Sequence, residues 1–185
     1  MKKPKSRLSS FIQHHLLNYR KNAAGFTLVE LLVVIAVLGI LSVGLIVAIN
    51  PLAQLEKARN STRKSSLKQI ASAIERYQVT YGTYPVTPGW CGDPRSYYNS
   101  CGADWIPGLV STGELKILPQ DPKVLQSNRC GDNRYGTYMY YSNGIDYKLV
   151  AHCTPEGTLD ANDPMVDPPR PSYSWAIYSP GASGW

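Results

Sequence analysis

From Phe26 to Ile49 the chain runs for 24 residues with a single charge, Glu30. As a helix this run is about 36 Å long, enough to cross a bilayer core of about 30 Å with some tilt. It exceeds the roughly 7–15 residues of a secretory signal's apolar core, and no small-residue cleavage site follows it. Asn50-Pro51 closes the run. Proline lacks a backbone N–H, so a kink or a fresh helix start is expected there. Beyond it the pattern turns amphipathic. Leu52, Leu55, Ala58 and Thr62, then Leu67, Ile70, Ala71, Ile74, Tyr77 and Tyr81, recur at helical spacing with most charges between them. Gly82 and Pro85 stop the helix. A continuous helix from Phe26 to Tyr81 would be about 80 Å long, too long for a compact domain of this size to enclose. Half of it must lie in lipid or in other subunits.

Past Gly82 the periodicity changes. Residues 83–134 are rich in Pro, Gly, Asn and Tyr and read as loop, with a brief helix expected from Trp105 to Glu114 that ends near Gly113. Tyr135 to Ser142 alternates and is aromatic, Asn143-Gly144 is a hairpin signal, and Tyr147 to Cys153 alternates again. Tyr147, Leu149 and Ala151 share one face of that strand; Lys148, Val150 and His152 share the other. Thr154-Pro155 and Gly157 end it, and Ser174 to Tyr178 supplies a third strand. Three strands need an apolar partner, and the stripe on residues 52–81 offers one. The expected fold is α+β: a long N-terminal helix, half apolar and half amphipathic, with a small antiparallel sheet packed on its C-terminal half.

Charge sharpens this picture. The net charge is +6, with 19 basic and 13 acidic side chains. Six of the basic residues (Lys2, Lys3, Lys5, Arg7, Arg20 and Lys21) precede Phe26, and no acid accompanies them. The whole positive excess is therefore a topology signal, which puts the N-terminus in the cytoplasm and residues 51–185 outside. Residues 51–81 carry a further basic excess. Arg59, Arg63, Lys64 and Lys68 lie within it and read as a solvated helix face or as a patch for acidic surfaces such as a neighbouring head or DNA.

Cys91, Cys101, Cys130 and Cys153 all lie beyond the apolar run, and none has C-x-x-C spacing. An even count in an extracytoplasmic head favours two disulfides, with three connectivities open. A hairpin turning at Asn143-Gly144 sets Cys153 opposite residues 134–136, within reach of Cys130. The expected pairs are Cys130–Cys153 and Cys91–Cys101, the second bracketing a Gly/Asn/Tyr loop that lacks apolar content to order itself.

The run Gly25-Phe26-Thr27-Leu28-Val29-Glu30-Leu31-Leu32 resembles the processing site of type IV pilins and type II secretion pseudopilins. A Gly–Phe junction opens an apolar segment whose fifth residue is Glu. The likeness continues through Gly39 and Pro51 to Tyr84-Pro85, and Leu118-Pro119-Gln120-Asp121-Pro122 with the Tyr-rich hairpin looks like the major pseudopilin head. Such a resemblance implies a leader over residues 1–25, a transmembrane and filament-core helix over 26–50, an amphipathic half over 51–81 and a head over 82–185. It implies cleavage after Gly25 by a prepilin peptidase and N-methylation of Phe26. It also implies extraction by an inner-membrane assembly platform into a polymer of this chain and other pilins. Gly25 lets backbone approach a protease cleft. Glu30, costly in mid-bilayer by about 2.5–3.5 kcal/mol, would meet the ammonium of Phe26 on its own chain or a neighbour. The leader contains Phe11-Ile12 and Leu16-Leu17, enough for a weak amphipathic helix on the inner membrane face.

The same resemblance suggests calcium near the C-terminus. Asp160, Asn162, Asp163 and Asp167 supply oxygens there, without the usual Gly-rich surroundings. Otherwise no cofactor is expected. No catalytic constellation is visible: His14 and His15 fall in the leader, and His152 lies on a predicted strand. The expected function is structural, a pilus or pseudopilus subunit, including the major pseudopilin of a type II secretion system. The rival is a minor pilin whose basic face binds DNA or a surface ligand.

Overall fold

The computed structural model describes residues 25–95, 101–126, 130 and 135–185; among these, the side chains at 44–49, 125–126 and 135 are excepted. The leader expectations at positions 1–24, including the weak amphipathic helix, lie outside the described residues. The chain divides into two units between Ile49 and Asn50.

In the first unit, helix α1 spans Leu28–Ile49. Among the described residues no helix is long and apolar enough to cross a membrane; the last six side chains of α1 are outside that description. The apolar side chains of α1 that are described are solvent-facing, from Leu28 and Val29 through Val43.

In the second unit, helix α2 spans Pro51–Tyr81. Its start is built as the Asn-Pro pair dictates. Asn50 sits in the left-handed region at φ 44, which Asn tolerates better than most residues, and its Oδ1 accepts the Ala53 N–H at 3.3 Å. Pro51 takes the first helical position, where its missing N–H costs nothing. Gly82 ends the helix at φ 78, donating its N–H to the Gln78 carbonyl at 2.8 Å. The sequence reading allowed a kink or a restart at Pro51; the structure shows a restart.

Among the described residues five strands follow, all antiparallel: β1 (Cys91–Gly92), β2 (Leu125–Gln126), β3 (Tyr135–Ser142), β4 (Tyr147–His152) and β5 (Ser174–Tyr178). Their order is β1-β3-β4-β5, with β2 also pairing β3. The fold is α+β, with α2 packed against β4 and β5. Leu67, Ile70, Ala73 and Ile74 are fully buried under Tyr138, Tyr140, Leu149 and Ala151. Burying each large aliphatic side chain contributes about 1.5–3 kcal/mol. The predicted stripe is only partly used: Leu52 and Leu55 at the start of α2 stay exposed, because burial on this helix begins at Arg63.

Two further expectations change. Residues 105–114 form successive turns instead of a helix. Gly108, at φ 85, interrupts the right-handed path and packs its backbone against the Tyr77 ring. The hairpin loop has four residues instead of two, since Ser142 pairs with Tyr147. Asn143 Oδ1 accepts the N–H groups of Ile145 and Asp146 and holds that loop. Strand β4 is buried on both faces, Lys148 included. Alternation along this strand therefore separates a helix-facing side from a side covered by the C-terminal segment.

Candidate processing site and the helix–head ion network

Gly25 and Phe26 precede α1 outside any helix or strand, and Phe26 is 81% exposed. A Cβ placed on Gly25 meets nothing within 4 Å, so no neighbour in the fold requires a glycine there. Two residues on, the geometry tightens. The Thr27 N–H and hydroxyl both donate to Glu30 Oε2, at 2.9 and 2.8 Å, and the Glu30 N–H donates back to Thr27 Oγ1 at 3.2 Å. This is a reciprocal capping box, in which Thr27 caps α1 and Glu30 closes it. From the sequence, Glu30 is expected as a counter-charge for the Phe26 amine. The T-x-x-E spacing ahead of an apolar run was the available signal for its second role. The carboxylate is thus exposed, ionisable and held in position one turn from the junction.

The expected basic face of α2 is not a face. Arg63 is fully buried. Its Nε lies 2.9 Å from Asp121 Oδ2 and its Nη1 2.9 Å from Glu156 Oε1, with a further bond to the Lys123 carbonyl at 3.3 Å. Arg59 grips Glu156 through two bonds of 2.6 and 2.5 Å, and Asn60 exchanges bonds with the Glu156 backbone at 2.7 and 3.0 Å. Lys64 is ion-paired with Asp163. Three of the four cations proposed as a DNA-binding patch therefore hold the head's loops onto α2. The Arg59 hydrogen bonds pull the Glu156 carboxyl down to about 2; burial opposes them and Arg63 adds to them. Burial alone would lower the Arg63 guanidinium, but Asp121 and Glu156 outweigh it and hold it above its usual value. The pattern could not be read from the chain, because its acids lie 58 and 93 residues beyond Arg63.

The cysteines are joined as Cys91–Cys101, with Cα atoms 5.4 Å apart, and Cys130–Cys153, with Cα atoms 6.0 Å apart. The second bridge follows from the register, since Thr137 pairs with His152 and so brings Cys153 beside Gly136. Among the described residues, the one His/Cys/acid group whose ligand atoms lie close together is Cys130, His152 and Cys153, and its two sulfurs are bonded to each other.

The calcium candidates do not form one oxygen cluster. Asp160 Oδ1 accepts the Asn162 N–H of its own loop at 2.9 Å, Asp163 pairs with Lys64, and Asp167 is fully buried between Lys148 and Arg170. Two of the three carboxylates already have cationic side chains against them, so these residues do not fit a calcium site.

A long N-terminal helix opened by a Gly–Phe junction and an N-terminal Glu, with a second helix carrying a small antiparallel sheet, defines a prepilin-type subunit. The prokaryotic N-terminal methylation motif matches residues 20–46. The type II secretion system core protein G of Pseudomonas aeruginosa is 30% identical over 129 residues, covering 70% of this chain and 88% of that protein. Its counterparts in Aeromonas hydrophila and Escherichia coli are each 28% identical, covering 69% and 68% of this chain and 86% and 83% of their own lengths. The chain belongs to the type IV pilin and pseudopilin family, on the branch of the type II secretion core protein G. No solved structure matches it.

Proposed function

We propose that this chain is the major subunit of a type II secretion pseudopilus. The observation that carries this reading is the extent of the likeness: relatives of that name align over 129–137 residues, far past the 27 residues of the shared methylation motif. In this reading the precursor is cut between Gly25 and Phe26 and the new amine is methylated. Residues 26–50 anchor it in the membrane, with residues 51–185 outside the cytoplasm. The 22-residue α1 is about 33 Å long, which suits that task. On assembly its exposed apolar surface is buried by neighbouring copies, and Glu30 receives the Phe26 ammonium of an adjacent subunit in a water-poor core, where the attraction is strong. The role is structural and not catalytic. A DNA-binding role lacks its basic face, since Arg59, Arg63 and Lys64 are spent within the head.

A deletion strain tests this directly. Loss of the chain should leave a set of exported proteins trapped in the periplasm and absent from the culture medium. Re-expression should restore them, and the Glu30→Val chain should enter the membrane without restoring them. An unchanged culture medium together with lost surface fibres would favour a pilus over a secretion pseudopilus.

A further inference from the structure

Lys148 is fully buried on β4, on the sheet face turned away from α2. Lysine is almost never fully buried unless paired, and the filament role makes no use of one here. Its ammonium lies 2.7 Å from Asp167 Oδ1. It donates to the carbonyl oxygens of Ser183 at 3.1 Å and Trp185 at 2.8 Å, and it sits 5.2 Å from the centre of the Tyr178 ring. Asp167 is equally buried. Its second oxygen takes the Arg170 guanidinium at 2.9 Å, and Arg170 also donates to the Trp185 carbonyl at 2.7 Å. One carboxylate and two backbone carbonyls, drawn from two separate stretches of chain, thus converge on a positive charge supplied by a third. Carboxylate and carbonyl oxygens are the donors that a hard cation such as calcium takes. In this head the charge is covalently attached to the sheet.

We propose that the Lys148 ammonium serves as the head's built-in cation, fastening the loop that carries Asp167 and residues 183–185 to β4 in place of a divalent metal, so that the fold is independent of calcium. The neighbouring acids agree with this assignment, since Asp163 is neutralised by Lys64 and Asp160 is committed to its own turn. A lysine delivers one charge and three donors without an ion-binding equilibrium, so the head keeps its closure in calcium-poor surroundings. This holds whether the chain serves secretion or another filament.

Thermal unfolding of the full chain in detergent micelles, followed by near-ultraviolet circular dichroism, tests the assignment. Millimolar calcium and excess chelator should give midpoints within about 1 °C of each other, and Lys148→Met should lower the midpoint by roughly 10 °C in both. A calcium-dependent rise of about 5 °C or more in the native chain would overturn the proposal. So would a Lys148→Met chain as stable as the native one. Should Lys148→Met fail to fold, the double variant Lys148→Met with Asp167→Leu becomes the readout. Removing both charges should recover a folded head, because no buried charge is left alone. A double variant no better than either single one would show that the two residues do not act as a pair.

Discussion

Helix α1 and helix α2 treat charge and apolar surface in opposite ways. Along α1, Leu28, Val29 and Ile40 are 83%, 69% and 76% exposed, and the only ionised side chain is tied to its own helix start by Thr27. Along α2, Leu67, Ile70 and Ile74 are fully buried by the sheet, and Arg59, Arg63 and Lys64 each reach an acid of the head. One helix carries out its burial within the chain. The other has, among the described residues, nothing to cover it, and its apolar surface waits for lipid or for other copies. A protein that must move from a membrane into a polymer needs this division: a head whose stability is settled in advance, and an anchor whose stability depends on what surrounds it.

The largest blow to this contrast comes from Arg63. Replacing it by Ala leaves buried Asp121 without its paired cation and takes from Glu156 one of the two guanidinium groups that hold it, which should cost about 3–5 kcal/mol. Leu38→Ala on α1 should leave the head's denaturant midpoint unmoved; an equal loss from both would erase the distinction. Reduction comes next. Each short disulfide loop contributes about 3 kcal/mol by chain-entropy arithmetic. Thiol treatment should loosen the head's near-ultraviolet signal while the far-ultraviolet helix signal of membrane-inserted α1 persists.

Acid should act on the head through Glu156. The Glu156 carboxyl, at about 2 when folded, titrates in the unfolded chain near 4.5. An acid with a lowered folded value stabilises fully above its unfolded value. The head should therefore keep the Glu156 contribution in full above about pH 5 and lose it progressively from about pH 4.5 toward pH 2. Glu156→Gln should flatten that limb of the profile; an unchanged limb would remove Glu156 from the account. The smallest effect belongs to the start of α1. Thr27→Ala removes one side of the capping box and should cost about 1 kcal/mol locally, seen as faster amide exchange in the first turn of α1 with the head's exchange unchanged.

These regions also differ in how much of them could be read beforehand. The junction at Gly25, the apolar run, the restart at Asn50-Pro51, the three long strands and the register that brings Cys153 near Cys130 are local patterns, with periods of two or 3.6 residues or fixed turn chemistry. The burial of Arg63 and of Lys148 was not legible, for a shared reason. Each lies in a pattern that reads as polar and solvent-facing, and each is buried by partners far along the chain: Asp121 and Glu156 for one, Asp167 and Trp185 for the other. Pairing at that separation leaves no periodic trace. The two-residue strands β1 and β2 went unseen because two residues are too few to show alternation. The capping box was legible at Thr27 and Glu30 and was overshadowed by the cost of a carboxylate in an apolar run.

In the proposed function, α1 enters a polymer only after the chain has lost residues 1–25 and gained a free amine at Phe26. Intact-mass measurement of the chain recovered from assembled filaments tests it most directly. The expected result is one mature species that begins at Phe26 and is heavier by one methyl group, with a Gly25→Val precursor left uncut in the membrane. Filaments built from chains that still carry residues 1–25 would contradict it.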